Sequence, residues 1–238
     1  MKLGIMQPYF FPYMGHFALI ANTDAWVVFD VTQYTPKTWM TRNRVLHPSG
    51  GPNYINVPLA NGSIGIKTCE ARVLDPAGAC RSLLGKLSHY RQRAPYFRQV
   101  EQLLQRAFSE AADDSLVALN TSGLKVVCEY LEIPFNYRIA SEQDWDLPDN
   151  PGPGGWAPRI SEIMGAQTYV NPLGGRELFD VQDFNGRGIE LRFLEFDPYV
   201  YTQRGFQFEP HLSVLDALMW NAPQDVRAAL HANARLVA

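Results

Sequence analysis

Arginine, lysine and aromatic side chains crowd one polar stretch of this chain, from Gln33 and Tyr34 through Lys37 and Trp39 to Arg42, Asn43 and Arg44. If Arg42 to Arg44 is extended, the two guanidiniums project to one face, because strand side chains alternate with a period of two. Two such planar forks make a clamp for a phosphate or carboxylate that ammonium groups do not reproduce. Other residues suited to chemistry stand where apolar runs stop: Gln7, His16, Asp30, Ser141, Arg176 and Arg204. Together these could activate a carboxylate. The cations would stabilise charge on a transferring phosphorus, His16 would stand near the α-phosphate, and Asp30 or Gln7 would hold an incoming amine. That chemistry needs no covalent intermediate on the protein, and no nucleophile constellation is evident.

The elements that must position these residues begin at the amino end. Leu3 to Met6 is an apolar run that stops at Gln7-Pro8, and a buried strand should end there because proline has no N–H for the ladder. Pro8 and Pro12 turn the chain. A helix is expected to follow Gly15-His16 through Phe17 to Ile20 and to end near Asn22, and Trp26 to Asp30 reads as a second strand. Strand, helix and strand in this order predict a parallel βαβ unit of fixed hand. The loop from Gln7 to His16 then lies at the carboxyl edge of the sheet, where α/β proteins place ligands.

Val31 to Gly51 reads either as an active-site loop or as a two-stranded excursion with Trp39 in the core and the arginines solvated. Strands are expected over Asn53 to Leu59 and Ile64 to Leu74. Asp75-Pro76 caps a helix running through Leu87, and further helices are expected from Ala94-Pro95 through Phe108 and from Ser115 to Leu131. This block, 76–131, forms either a small lobe or a layer against the sheet. Phe135 to Ala140 returns to strand and ends at Ser141. The Gly/Pro-rich loop 146–156 is a hinge, a lid or a plain linker. A short helix at Pro158 to Met164 and a strand at Gln167 to Val170 lead to Asn171-Pro-Leu-Gly174-Gly175-Arg176, either a cradle for an anion or a tight turn with a solvated arginine. Ile189 to Phe196 is a late strand. Ser213 with Asp216 caps a last apolar helix, Val214 to Met219, although His211 and Ser213 could instead meet a phosphate. The expected fold is α/β: a Rossmann-like, mostly parallel sheet with a helical insertion, residues 1–238 forming a single domain; the resemblance given below implies a sheet of nucleotidyltransferase-like type.

No Gly-x-x-x-x-Gly-Lys, Gly-x-Ser-x-Gly, His-Glu-x-x-His or Gly-x-Gly-x-x-Gly string is present, which removes the P-loop, serine-hydrolase, zincin and dinucleotide readings at the motif level. The motifs that are present carry a resemblance. Gln7-Pro8-Tyr9-x-x-Pro12-x-x-Gly15-x-Phe17, then Asp24-x-x-Val27-x-x-Asp30, then Trp39-x-x-Arg42-Asn43-Arg44 resemble the WbqC-like family of bacterial O-antigen and other surface-polysaccharide gene clusters. The likeness continues through Tyr90, Ala94-Pro95-Tyr96-Phe97, Ser161, Met164-Gly165-Ala166, Tyr169, Tyr199, Arg204, Phe208, Pro210, Leu212-Ser213 and Asp216. Tyr13-Met14-Gly15-His16 also resembles half of the H-x-G-H signature of nucleotidyltransferases and pantothenate-synthetase-like ligases, with Tyr13 in place of the first histidine. In the WbqC-like family an aromatic residue generally stands where this chain has His16, and a serine recurs near the strand end marked by Ser141.

The resemblance implies an ATP-dependent enzyme, with Mg2+, that forms an amide by passing an aminoacyl group such as glycyl to an amino sugar or similar amine. The alternatives are transfer from a preactivated donor, an aminoacyl-tRNA or acyl carrier, and a non-catalytic nucleotide-sugar-binding accessory protein. On this reading His16, Arg42, Arg44 and Asp30 are catalytic. Gln7, Tyr9, Tyr13, Gly15, Gln33, Lys37, Trp39 and Asn43 bind substrate or nucleotide, joined by Ser141, Asn171, Gly174, Gly175, Arg176, Tyr199, Arg204 and Ser213. No metal-ligand set is expected.

A formal net charge of −3 with both signs scattered argues against a nucleic-acid footprint. The local pairs Arg42-Arg44 and Arg91-Arg93 leave a tRNA acceptor stem as the one nucleic-acid partner considered. The partners expected are small molecules: an amino acid, an amino sugar or a nucleotide sugar. Lys2 is followed by too short a run for a signal peptide, and no apolar stretch approaches the roughly 18 to 20 residues of a membrane span, so the expected location is the cytoplasm. Cys69, Cys80 and Cys128 are widely spaced without a C-x-x-C pair, which points to reduced packing residues.

Overall fold

The structure, a computed structural model, describes residues 1–238. Its centre is a six-stranded sheet built from β1 (Lys2–Met6), β2 (Ala25–Val28), β5 (Tyr137–Ile139), β6 (Thr168–Pro172), β7 (Glu190–Phe196) and β8 (Ala234–Val237), in the order β5-β2-β1-β6-β7-β8. All neighbours are parallel except β7 and β8. The fold is therefore mixed α/β with a mostly parallel, Rossmann-like sheet. From β1 the chain moves outward to β2 and β5 on one side, and β6 and β7 fill the other. The switch point lies between β1 and β6, and crevices at the carboxyl ends of such strands are where open α/β sheets take ligands.

The remaining two strands, β3 (Arg42–Leu46) and β4 (Pro52–Asn56), form a separate antiparallel ladder with Arg44 opposite Tyr54. Eight helices complete the chain: α1 (Met14–Ala21), α2 (Pro76–Leu87), α3 (Phe97–Glu110), α4 (Leu116–Tyr130), α5 (Trp156–Ile163), α6 (Val181–Asn185), α7 (Val214–Trp220) and α8 (Pro223–Ala232). Asp75 caps α2 by accepting from the Gly78 N–H at 2.9 Å and Ser213 caps α7, as their sequence positions predict, and Ser115 caps α4. Helices α2 to α4 are not set apart from the sheet. Leu83, Val100, Leu104 and Leu124 belong to one buried cluster with Phe17, Trp26 and Val28. No helix is long and apolar enough to cross a membrane.

Several sequence expectations need correction. Ile64 to Leu74 is not a strand: it holds a one-turn helix at Thr68–Glu70 and isolated bridges from Val73 to Leu59 and from Arg72 to Ser115. Gly65 and the polar residues around it interrupt the alternation a ladder needs. Strand β2 stops at Val28, before Asp30, and the Asp30 carboxylate accepts from Ser141 just past β5. The chain does not finish with α7. Pro223 opens α8, and β8 follows as the antiparallel edge of the sheet. The three cysteines are free, and burial pushes the Cys128 thiol up.

Candidate functional site

Segment 8–12, between β1 and α1, carries no regular ladder, so its carbonyls must find other donors. Asn120 of α4 donates to the carbonyls of Pro8 at 2.7 Å and Met40 at 2.8 Å. Asn43 of β3 donates to those of Phe10 and Phe11, at 3.0 and 2.9 Å. The Ser213 hydroxyl adds a 2.6 Å bond to Phe11, and the Val214 N–H reaches Pro12 at 2.9 Å. Phe11 is thereby held at φ 38°, a left-handed conformation that persists in a large residue only when its surroundings over-determine it. Tyr13 ends the segment and folds over Gly15, where any Cβ would collide with its ring.

Two cavities flank this pinned segment, and Tyr9 lines both. One, of about 330 Å³, lies at the switch point, walled by Met6, Gln7, Asn171 and Pro172 at the strand ends and by Phe29, Trp156 and Phe179. It is apolar apart from Gln7, Asn171 and the two tyrosines, Tyr9 and Tyr169. Asn171 accepts from the Tyr169 hydroxyl at 3.0 Å, and the Gln7 amide donates to Thr32 at 3.1 Å, which leaves its carbonyl oxygen without a protein partner. Gly175 closes this cavity against Asn171, whose amide occupies the space a Cβ would need.

The other cavity, of about 290 Å³, is lined by Tyr9, Pro12, Tyr13, Trp39, Asn43, Arg44, Phe196 and His211. Arg44 lies over the Trp39 ring at 5.7 Å and donates to the His211 carbonyl at 3.1 Å. On the same face of β3, Arg42 lies over the Tyr54 ring at 5.0 Å. Neither arginine has a carboxylate within ion-pair distance, and the Nε of each is buried without a hydrogen-bond partner. The other arginines outside ion pairs, Arg93, Arg138, Arg176 and Arg204, are all exposed. Arg42 and Arg44 are thus the partly buried cations whose donors the fold leaves unmet, and unmet buried donors are costly.

The structure does not bring the remaining candidates to these cavities. His16 points into the core, 5.2 Å from the Trp26 ring and 5.6 Å from Tyr9, and is 3 % exposed. Burial lowers its pKa to about 3, and its Nε2 has no partner. It lines neither cavity, and the structure places it in the core rather than beside the arginines. Asp30 is fully buried, and both its oxygens are taken by Ser141, from the backbone N–H at 2.9 Å and the hydroxyl at 2.5 Å. Burial raises its pKa and the Ser141 bonds oppose the rise. The pair fastens the end of β2 to the end of β5, and Ser141, which is exposed, lines a separate hollow with Lys67, Cys69 and Trp145.

Gln33 binds the Ile64 carbonyl, and Lys37 is exposed at φ 59°. Gly174 and Arg176 are exposed in a short turn after β6, with Arg176 over Phe193 at 5.4 Å. Tyr199 lines a small neighbouring hollow with Tyr201 and Phe208, and Arg204 is exposed. Ser213 serves as a helix cap and loop clamp, and Asn43 as a clamp.

Sequence reasoning passed over Asn120, gave Asp216 only a capping role, and left His211 as an alternative phosphate contact. Asn120 is the one side-chain amide of α4, directly after Leu116-Val117-Ala118-Leu119. Asp216, fully buried, accepts from Tyr90, from Tyr201 at 2.6 Å, from Gln203 at 2.7 Å and from Trp220 at 3.4 Å. His211 lines the cationic cavity at φ 56° and packs against Tyr13 at 6.4 Å.

Fold and site define a Rossmann-like α/β protein whose ligand edge carries an apolar crevice beside two unpaired arginines. The chain belongs to the WbqC-like protein family, which residues 7–228 match. It is also similar to an uncharacterized protein of Mycobacterium tuberculosis, Rv1507c, at 29 % identity over 222 residues, covering 91 % of this chain and 92 % of the relative. No solved structure matches it.

Proposed function

We propose that this chain is a group-transfer enzyme that anchors a phosphate or carboxylate on Arg42 and Arg44 and carries out its reaction beside Tyr9, with the transferred group in the apolar crevice. The observation that carries this reading is the pair of half-buried guanidiniums with no acid to neutralise them, next to a crevice at the switch point. The reaction that fits best is amide formation: an aminoacyl group, glycyl being the simplest, passes to the amine of an amino sugar in surface-polysaccharide (O-antigen-type) synthesis. Activation by ATP would have the amino-acid carboxylate attack the α-phosphorus and expel pyrophosphate. The amine would then attack the acyl carbon, AMP would leave, and one amine proton would pass to solvent.

Arg42 and Arg44 suit the charge that grows on the phosphoryl oxygens. The free carbonyl oxygen of Gln7 suits an amine N–H, since Asp30 is committed to Ser141. These residues offer Mg2+ no carboxylate ligand, so an ion brought with ATP would be held by the phosphates and water. Neither cavity is lined by an aspartate or glutamate, and no three His, Cys, Asp or Glu side chains gather to hold an ion, so no step is drawn through it. Exchange of labelled pyrophosphate into ATP, run across a panel of amino acids, tests the adenylating step. Exchange with one of them is the expected result. Absence of exchange and of AMP formation removes adenylation and leaves transfer from a preactivated acyl donor.

A further inference from the structure

Four tyrosine or tryptophan side chains are broadly exposed: Tyr13 and Trp39 at 41 %, Tyr54 at 45 % and Tyr137 at 38 %. Tyr137 lies on the edge strand β5, stacked on Phe135. The other three surround the arginine pair: Tyr13 and Trp39 line the cationic cavity, and Tyr54 stands against Arg42. Exposed apolar rings gathered in one place mark a surface that something covers. An inorganic anion or a small aliphatic acid would engage the guanidiniums and leave these rings bare. A planar heteroaromatic ring would cover them, because aromatic faces stack on any base. Arg44 already occupies one face of Trp39, so a ring laid on the exposed part of the indole carries its phosphate chain to the guanidinium beside it.

We infer that the cationic cavity is a nucleoside-phosphate site, in which a base stacks on Trp39 with Tyr13 as the opposite wall and a diphosphate reaches Arg44 and Arg42. The inference rests on the anion-anchoring reading above and adds the organic group joined to the anion. The reacting end of such a ligand is directed past Tyr9 toward the apolar crevice, since Tyr9 is the residue both cavities share.

Calorimetric titration of the full chain with inorganic pyrophosphate, ribose 5-phosphate, ADP and UDP tests it. Both nucleoside diphosphates are expected to bind at least about fivefold more tightly than pyrophosphate or ribose 5-phosphate, the low end of what one stacked base contributes. That ratio should fall to near one in Trp39→Ala and survive in Trp39→Phe, which keeps an aromatic face. Pyrophosphate or ribose 5-phosphate binding as tightly as ADP, or a ratio that persists in Trp39→Ala, overturns the nucleoside assignment. In those cases weaker pyrophosphate binding by Arg44→Ala would leave the anion site standing. Failure of all four compounds to bind would remove the anion reading and the nucleoside assignment together.

Discussion

Two polar clusters, both bonded to segment 197–213, are built on opposite terms. At Asp216 a carboxylate with no exposure receives four donors, and Tyr90, one of them, accepts in turn from the Leu46 N–H of β3 at 2.8 Å. At Arg42 and Arg44, two cations on the same strand receive no acid at all and retain unmet Nε donors. That segment serves both, since the Ser213 N–H binds the Arg44 carbonyl at 2.7 Å. A saturated cluster spends its hydrogen-bonding capacity on the fold. An unsaturated one keeps that capacity for a ligand, and the difference separates scaffold from site more sharply than residue type does.

The widest gap between the two should appear on breaking the saturated cluster. Asp216→Ala strands the Tyr90, Tyr201, Gln203 and Trp220 donors, and leaving even one or two unmet costs about 1–3 kcal/mol each. A loss of at least about 3 kcal/mol in urea unfolding is expected, with Asp216→Asn intermediate. A change below about 1 kcal/mol would mean the hub is not holding segment 197–213 in place.

His16 sharpens the comparison from the core side. Its folded pKa, about 3, lies below the ordinary histidine value of about 6.5. The unfolded chain therefore binds a proton that the folded protein refuses, and stability falls as pH drops from about 6.5 toward 3, by up to about 1.4 kcal/mol per pH unit. His16→Phe should flatten that stretch of the stability curve and remove the unpartnered Nε2. An unchanged pH profile in the variant would show that His16 is not buried neutral.

Arg44→Lys should leave the melting temperature close to wild type and lower activity or anion affinity by at least about tenfold, roughly 1.4 kcal/mol. Wild-type behaviour in this variant would move the site away from β3. The smallest effect belongs to the surface network of α3 and α4, where Arg106 pairs with Glu110 and Glu129 on exposed helix faces. Arg106→Ala should shift stability by less than about 1 kcal/mol, and less still in high salt.

Local signals carried much of this fold. Proline at position 8 ends β1, Asp75-Pro76 opens α2, and the period of two along Arg42-Asn43-Arg44 sends both arginines to one face with Asn43 to the other. What lay hidden depends on partners distant in sequence. Asn120 reaches Pro8 across 112 positions, and Asp216 meets Tyr90 across 126. Asn120, directly after Leu116-Val117-Ala118-Leu119, and a lone Asp inside Val214-Leu215-Asp216-Ala217-Leu218 were the available signals, since a polar group placed in a buried face must find a partner. His16 misled for the converse reason. Its position after the first strand suggested phosphate chemistry, while the direction of its side chain is set by packing against Trp26. His211 was read only as an alternative phosphate contact at the start of α7, because its place in the cavity depends on a left-handed backbone that the tertiary contacts impose.

The central claim is that Arg42 and Arg44 hold an anion. A crystal structure of the protein soaked with pyrophosphate tests it most directly. The anion is expected across the two guanidiniums, with Arg44 still against Trp39. An anion bound at the Gly174-Gly175-Arg176 turn, with the β3 arginines left unengaged, would contradict it.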